Sequence, residues 1–112
     1  HTLDLSKCQQ LKDVSKLTNV HTLNINYCSQ LKDITTLTNT HILDLSGCDK
    51  IKDIGSLRNL EEVTIHNNIS GIHLLKNIKI LKIVNGYTLK KQMKSELKKL
   101  RKNNHDVKVI FI

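Results

Sequence analysis

Along most of the chain, apolar and polar residues follow one pattern at a fixed period. Leu3 and Leu5, Leu23 and Ile25, Leu43 and Leu45, and Val63 and Ile65 each flank a single polar residue. Alternation with a period of two is what a strand with one buried face requires. Downstream of the first three pairs, apolar residues return at a spacing of three: Leu11, Val14, Leu17, then Leu31, Ile34, Leu37, then Ile51, Ile54, Leu57. Too few residues remain for a second strand or a long helix, so the spacing predicts irregular or 3₁₀-like return segments. One such coil cannot bury its apolar side alone. Stacked neighbours must supply the core, with their strands forming a parallel sheet on one face.

The repeat is explicit in the letters. HTLDLSKCQQLKDVSKLTN from His1, HTLNINYCSQLKDITTLTN from His21 and HILDLSGCDKIKDIGSLRN from His41 superpose without a gap at a period of 20 residues. The fourth coil puts Asn68 where the others have Cys, but its Ile69, Ile72 and Leu75 follow two residues early. This predicts a two-residue deletion after Asn68 and a local period of 18. Ile78, Leu81 and Ile83 open a fifth coil, and then the pattern changes. Thr88 suits a helix cap, and Leu89, Met93, Leu97 and Leu100 share one side at helical spacing. The predicted helix covers residues 89–102 and stops at Asn103 and Asn104. Val107, Val109 and Phe111 then alternate as a closing strand, with Phe111 expected in the core. A helix followed by an edge strand has the form of a capping repeat.

The core of one coil reads Val20-x-x-Leu23-x-Ile25-x-x-Cys28-x-x-Leu31. It resembles the leucine-rich repeat family, whose core is L-x-x-L-x-L-x-x-N/C-x-L. The short cysteine-bearing form is similar to arrays of protists and of giant viruses of amoebae. The resemblance recurs in phase over nearly the whole chain. It implies an α/β solenoid that forms a single leucine-rich repeat domain over 1–112, with coils at about 1–19, 20–39, 40–59, 60–77 and 78–112. The pattern is already running at His1, so the chain is expected to be truncated at its N-terminus. The apolar edge of coil one (Leu3, Leu5, Leu11, Val14 and Leu17) is then expected to be covered by further repeats, another chain or a second copy.

Composition narrows the classes. The 112 residues suffice for one domain, and a hydrophobic content of 38% is ordinary for a folded one. No apolar run approaches the roughly 18–20 residues of a membrane span, and no signal-peptide pattern opens the chain. Together with unpaired cysteines, this predicts a cytoplasmic or otherwise intracellular protein. The net charge of +8 is not spread evenly: acids and bases balance through residue 77, and the excess lies mostly between residues 90 and 102.

Candidate chemistry falls into columns. Cys8, Cys28 and Cys48 share one position, without the C-x₂-C spacing usual for a metal centre. Strands about 4.8 Å apart hold equivalent Cβ atoms beyond the about 3.5–4.5 Å that a disulfide prefers. A reduced, buried thiol ladder is expected, with Asn68 in the same slot. A buried amide there makes the Asn68-Ile69-Ser70 sequon accidental. His1, His21 and His41 form a second column that Glu61 ends. Neighbouring imidazoles can bind a metal or sense pH, but a solvated row with neither role is the favoured reading. Asp13, Asp33 and Asp53, each after a lysine, are placed to cap N–H groups of the next turn.

Lys90, Lys91, Lys94, Lys98, Lys99, Arg101 and Lys102 would suit phosphates or an anionic membrane. No aromatic residue interleaves with them, and the other side of the helix is needed for the core, so neither nucleic acid nor membrane is the expected partner. There is no Gly-rich phosphate loop, G-x-S-x-G turn or H-E-x-x-H, and therefore no catalytic residue, cofactor or metal is expected.

Alternation points one set of side chains outward: Thr2, Asp4, Ser6; Thr22, Asn24, Asn26; Ile42, Asp44, Ser46; Glu62, Thr64, His66; and Ile80, Lys82, Val84. The expected function is a protein–protein interaction module that uses this face. Its candidate partner-binding residues are Asn24, Asn26, Tyr27, Asp44, Ser46, Thr64 and His66. Tyr27 is the candidate anchor, since aromatic residues carry much of the energy of interfaces and only Tyr87 and Phe111 accompany it. Two other readings stay open: a structural spacer or surface component of a larger assembly, and anionic-surface or nucleic-acid binding through the basic helix.

Overall fold

Six short strands stack in register into one parallel sheet, one coil of backbone per step. The computed structural model describes residues 1–84 and 89–112. The strands are β1 (Thr2–Asp4), β2 (Thr22–Asn24), β3 (Ile42–Asp44), β4 (Glu62–His66), β5 (Ile80–Val84) and β6 (Lys108–Phe111), and they pair in that order. Leu3, Leu23, Leu43, Val63, Leu81 and Val109 form one column of paired residues across the sheet. The step from β3 to β4 is 20 residues, and from β4 to β5 it is 18, since Ile42 pairs with Glu62 and Glu62 with Ile80. The deletion expected in coil four is there. Among the described residues, one α-helix, α1 (Lys91–Asn103), lies between β5 and β6. The helix begins two residues later than the 89–102 expected, with Lys90 at its N-cap; Thr88, expected in that role, and Tyr87 lie outside the described residues.

The spacing of three in the returns has a hydrogen-bond cause. In coil two the N–H groups of Cys28, Leu31 and Leu37 each donate to the carbonyl three residues back, and coils one and three repeat these bonds. Every turn brings the next apolar side chain inward. Among the described residues, only in coil four do the turns join into a 3₁₀ helix, Ile72–Leu74. Asp13, Asp33 and Asp53 accept N–H bonds from Ser15, Thr35 and Gly55 at 2.8, 2.9 and 2.7 Å, fixing the return in each coil. The corner after each early strand needs a left-handed backbone, taken by Lys7, Tyr27 and Gly47 with φ of 63°, 58° and 75°.

The core is the interior of the stack, and it weakens at both ends. Leu23, Ile25, Leu31, Leu43, Leu45, Ile54, Val63 and Ile65 are fully buried, whereas Leu3, Leu5, Leu11 and Leu17 of coil one are only partly so. The thiol ladder follows the same gradient. Cys28 Sγ donates to the Leu5 carbonyl at 3.1 Å and Cys48 Sγ to that of Ile25 at 2.9 Å, both from buried positions. Cys8, expected to be buried with them, is exposed on the outermost coil described. At the other end Phe111, expected in the core, is 46% exposed on β6, the edge strand of the described sheet.

Coil four also departs from expectation at Asn68, which is exposed and does not extend the cysteine ladder. The shortened loop swings towards coil three: Ser70 N–H donates to Lys52, and Ile54 N–H donates to Ser70. The inference that burial makes the sequon accidental therefore loses its ground. The helix α1 closes the stack with Met93, Leu97 and Leu100 buried. It also buries Glu96, which had no assigned role.

Candidate functional site

The outward columns of the sheet form one face. Thr2, Thr22, Ile42, Glu62, Ile80 and Lys108 make one row, and Asp4, Asn24, Asp44, Thr64, Lys82 and Ile110 the next. Lys108 and Ile110 extend the face beyond the fifteen positions read from alternation, because the closing strand joins in parallel register. Glu62 and Lys82 pair diagonally across it at 3.5 Å. A shallow depression runs over these rows from Thr2 to Lys82.

The candidate binding residues divide by what their polar atoms already do. Asn24 Oδ1 accepts the Asn26 N–H at 3.0 Å, and Asp44 Oδ1 accepts both the N–H and the hydroxyl of Ser46, at 3.0 and 2.7 Å. Asp4 accepts the Ser6 N–H in the same way, and its hydrogen bonds from Ser6 hold its carboxyl below the usual carboxylate range. These bonds turn the chain out of the sheet, so this column shapes the backbone as well as the face. Ser46, expected to point outward, is buried. Asn26 is half-buried, and its Oδ1 lies buried without a hydrogen-bond partner.

His66 is committed as well. Its Nδ1 accepts the Asn68 N–H at 3.2 Å, which places the ring proton on Nε2, and Nε2 donates to the Ile51 carbonyl at 3.2 Å. Burial pushes this imidazole below its ordinary pKa. Thr64 remains on the open face. Tyr27 is 52% exposed, and its ring covers Gly47 so closely that a Cβ there would fall 2.5 Å from Cδ1. The structure thus brings Asn24, Asp44 and Thr64 together on the face, with Tyr27 at its corner. Ser46 and His66 are held in the scaffold.

A second constellation lines the edge where each strand begins. The carbonyls of His1, His21, His41 and Glu61 each accept two N–H groups from the start of the next strand, at 2.7 to 3.1 Å. This doubled bond locks the backbone of the column in register. The His21 and His41 rings stack, with centroids 4.5 Å apart and planes 10° from parallel. His41 Nδ1 lies 2.7 Å from Glu61 Oε2, and Lys79 Nζ lies 2.8 Å from Glu61 Oε1. Lys79, and then His41, hold the Glu61 carboxyl down at about 2, while Glu61 raises the Lys79 ammonium. Glu61 ends the run of histidines in the sequence, and its carboxylate pairs with the last of them, His41. The row is still solvated, with His21 exposed and the His41 and Glu61 side chains each 35% exposed, but it is also linked from ring to ring and on to Glu61.

Beneath that edge, Asn39, Asn59 and Asn77 send their Nδ2 groups to the carbonyls of Thr18, Thr38 and Arg58, and Asn104 does the same to Ile78. This brace was overlooked, although the asparagine that ends each aligned repeat signals it. At the N-cap of α1 Lys90 is exposed, and along the helix so are Lys91, Lys94, Lys98, Lys99, Arg101 and Lys102. Among the described residues, no helix is long and apolar enough to cross a membrane. Against protein-family models, curated proteins and solved structures, the chain shows no match.

Proposed function

We propose that this solenoid is a protein-binding module of the leucine-rich repeat type, without enzymatic activity, which docks its partner on the outward face of the sheet. The observation that carries the reading is the continuity of that face. Its side chains sit on rigid, in-register strands, so a partner loses little entropy on this side when it binds. Asp4, Asp44 and Glu62 lie towards one end and Lys82 and Lys108 towards the other, a gradient that would orient an extended partner segment. Ile42, Ile80 and Ile110 supply half-buried apolar contacts among the polar groups. The half-covered edge of coil one is taken as the place where a further repeat or another chain packs.

The test is site-directed photocrosslinking. A benzophenone side chain at Asn24 or Thr64 should capture one discrete partner, and the same group at Lys94 should not. With that partner in hand, Tyr27→Ala should weaken binding by about 1–2 kcal/mol, measured by calorimetry. Capture from Lys94 alone, lost on reversing the charges of Lys91, Lys94 and Lys98, would favour the basic helix instead. That second reading has one observation behind it: among the described residues, none of those cations forms an ion pair with a carboxylate.

A further inference from the structure

We propose that His21, His41 and Glu61 form a binding site for one divalent transition-metal ion of the zinc type, held by two imidazole nitrogens and one carboxylate oxygen at the sheet edge. The three residues stand immediately before β2, β3 and β4, and so occupy one register on three successive strands. Side chains running parallel from strands about 4.8 Å apart would leave the outer two about 9.6 Å from each other. Yet one ligand atom from each of the three lies within 4.8 Å of the other two. The outer side chains converge on His41.

The donor set matches the ion. Two imidazoles and a carboxylate are the ligand types that zinc accepts, with a fourth tetrahedral position left to water. Hard ions such as Mg²⁺ and Ca²⁺ prefer sites built from oxygen alone. Ligand bonds of about 2.0–2.2 Å put tetrahedral donors about 3.3 Å apart, so the widest gap must close by no more than about 1.5 Å. Rotation of exposed side chains supplies that: His21 is exposed, and the His41 and Glu61 side chains are each 35% exposed. The near-parallel rings need only splay to aim their in-plane lone pairs at one ion.

The surroundings fit the same reading. Lys79 grips the outer oxygen of Glu61, which turns the inner oxygen towards His41; outer contacts of this kind orient metal ligands. An open cavity lined by His41, Asn59, Glu61, Asn77 and Lys79 adjoins the group and leaves room for water ligands. Without metal, His41 Nδ1 donates its proton to Glu61. Ligation through Nδ1 requires that proton to leave: a neutral ring then carries its proton on Nε2, and an imidazolium releases one proton to solvent.

Zinc chloride titrated into the whole chain near neutral pH tests this by calorimetry and by NMR of the histidine rings. One ion should bind per chain, and the ring signals of His21 and His41 should shift, while those of His66 and His73 stay. His41→Gln and Glu61→Gln should each weaken binding at least about tenfold, with His105→Ala as the unaffected control. The proposal falls if zinc shows no saturable binding, if the shifts lie at His1 or His105 instead, or if His105→Ala weakens binding as much as His41→Gln. The ring signals are read on the unaltered protein, so they decide the matter even if a variant fails to fold.

Discussion

Glu96 Oε1 accepts the backbone N–H of Gly71 at 2.7 Å, joining the capping helix to the turn that opens the 3₁₀ segment of coil four. The same oxygen faces His73 Nδ1 at 3.0 Å, and Gln92 reaches Oε2 at 3.3 Å. Gly71 has φ of +89°, and its Cα packs against Gly55 and Asp53, so its N–H has no slack with which to find another acceptor. Glu96→Ala should therefore cost about 1–3 kcal/mol in urea unfolding, the penalty of a buried donor left unmet. Glu96→Gln keeps an acceptor and should cost less; equal losses would refute the assignment.

The three thiols should differ in reactivity. Burial pushes the Cys48 thiol up to about 11 and raises that of Cys28, so little reactive thiolate forms on either near neutral pH. Cys8 is exposed. Alkylation followed by mass spectrometry should find Cys8 modified first in the folded protein, with Cys28 and Cys48 modified only on unfolding. A single common rate would contradict the two-rung ladder.

Gly47 is required by its corner. Its φ of +75° disfavours any side chain, and the Tyr27 ring occupies the space a Cβ needs. Gly47→Ala should destabilise by about 1–3 kcal/mol. Part of that loss should vanish in a Tyr27→Ala background, where the ring is gone and only the backbone strain persists. A double-mutant cycle by chemical denaturation separates the two.

The two sides of α1 should respond differently. Leu97→Ala or Leu100→Ala removes a buried side chain and should cost about 2–5 kcal/mol. Reversing the charges of the exposed Lys91, Lys94 and Lys98 should change unfolding free energy far less, by about 0.5 kcal/mol or under for each.

Acid should loosen the edge column through Glu61. Its carboxyl sits at about 2 in the folded chain against an ordinary 4.5, so its pairing stabilises the fold fully above the ordinary value. That contribution is lost as pH falls from about 4.5 towards 2. Over this interval, with chelator present, the melting temperature of the unaltered chain should fall more steeply than that of Glu61→Gln.

Much of the architecture was legible because a repeat declares its own columns. Leu23 and Leu43 occur at one phase, and stacking then dictates parallel pairing; the early return of Ile69 revealed the shorter fourth step. What a period cannot express is an end. Cys8 shares the repeat position of Cys28 but sits on the outermost coil described, and Phe111 sits on the outermost strand at the other edge. Nor does alternation say whether a polar side chain is occupied. Asp44 and Asn24 spend an oxygen on their own backbone, and Ser46 turns inward to Asp44. The pairing of Glu61 with His41 went unread because Glu61 differs from histidine as a letter while complementing it as a charge. Glu96 carried a signal that went unused: it is the sole acid within a helix otherwise crowded with cations.

The unequal strand lengths have a consequence in time. β4 and β5 pair over five residues, under the clamp of the helix, whereas β1 and β2 pair over three beside a half-open edge. In a stack where each coil holds only its neighbours, each step opens on its own terms, and the three-residue pairings have the least to lose. The rows on β1, β2 and β3 thus open more readily than the five-residue pairing that carries Thr64 and Lys82. A ligand laid along all the strands would be held most firmly over β4 and β5 and would loosen first over the three-residue strands, step by step rather than all at once.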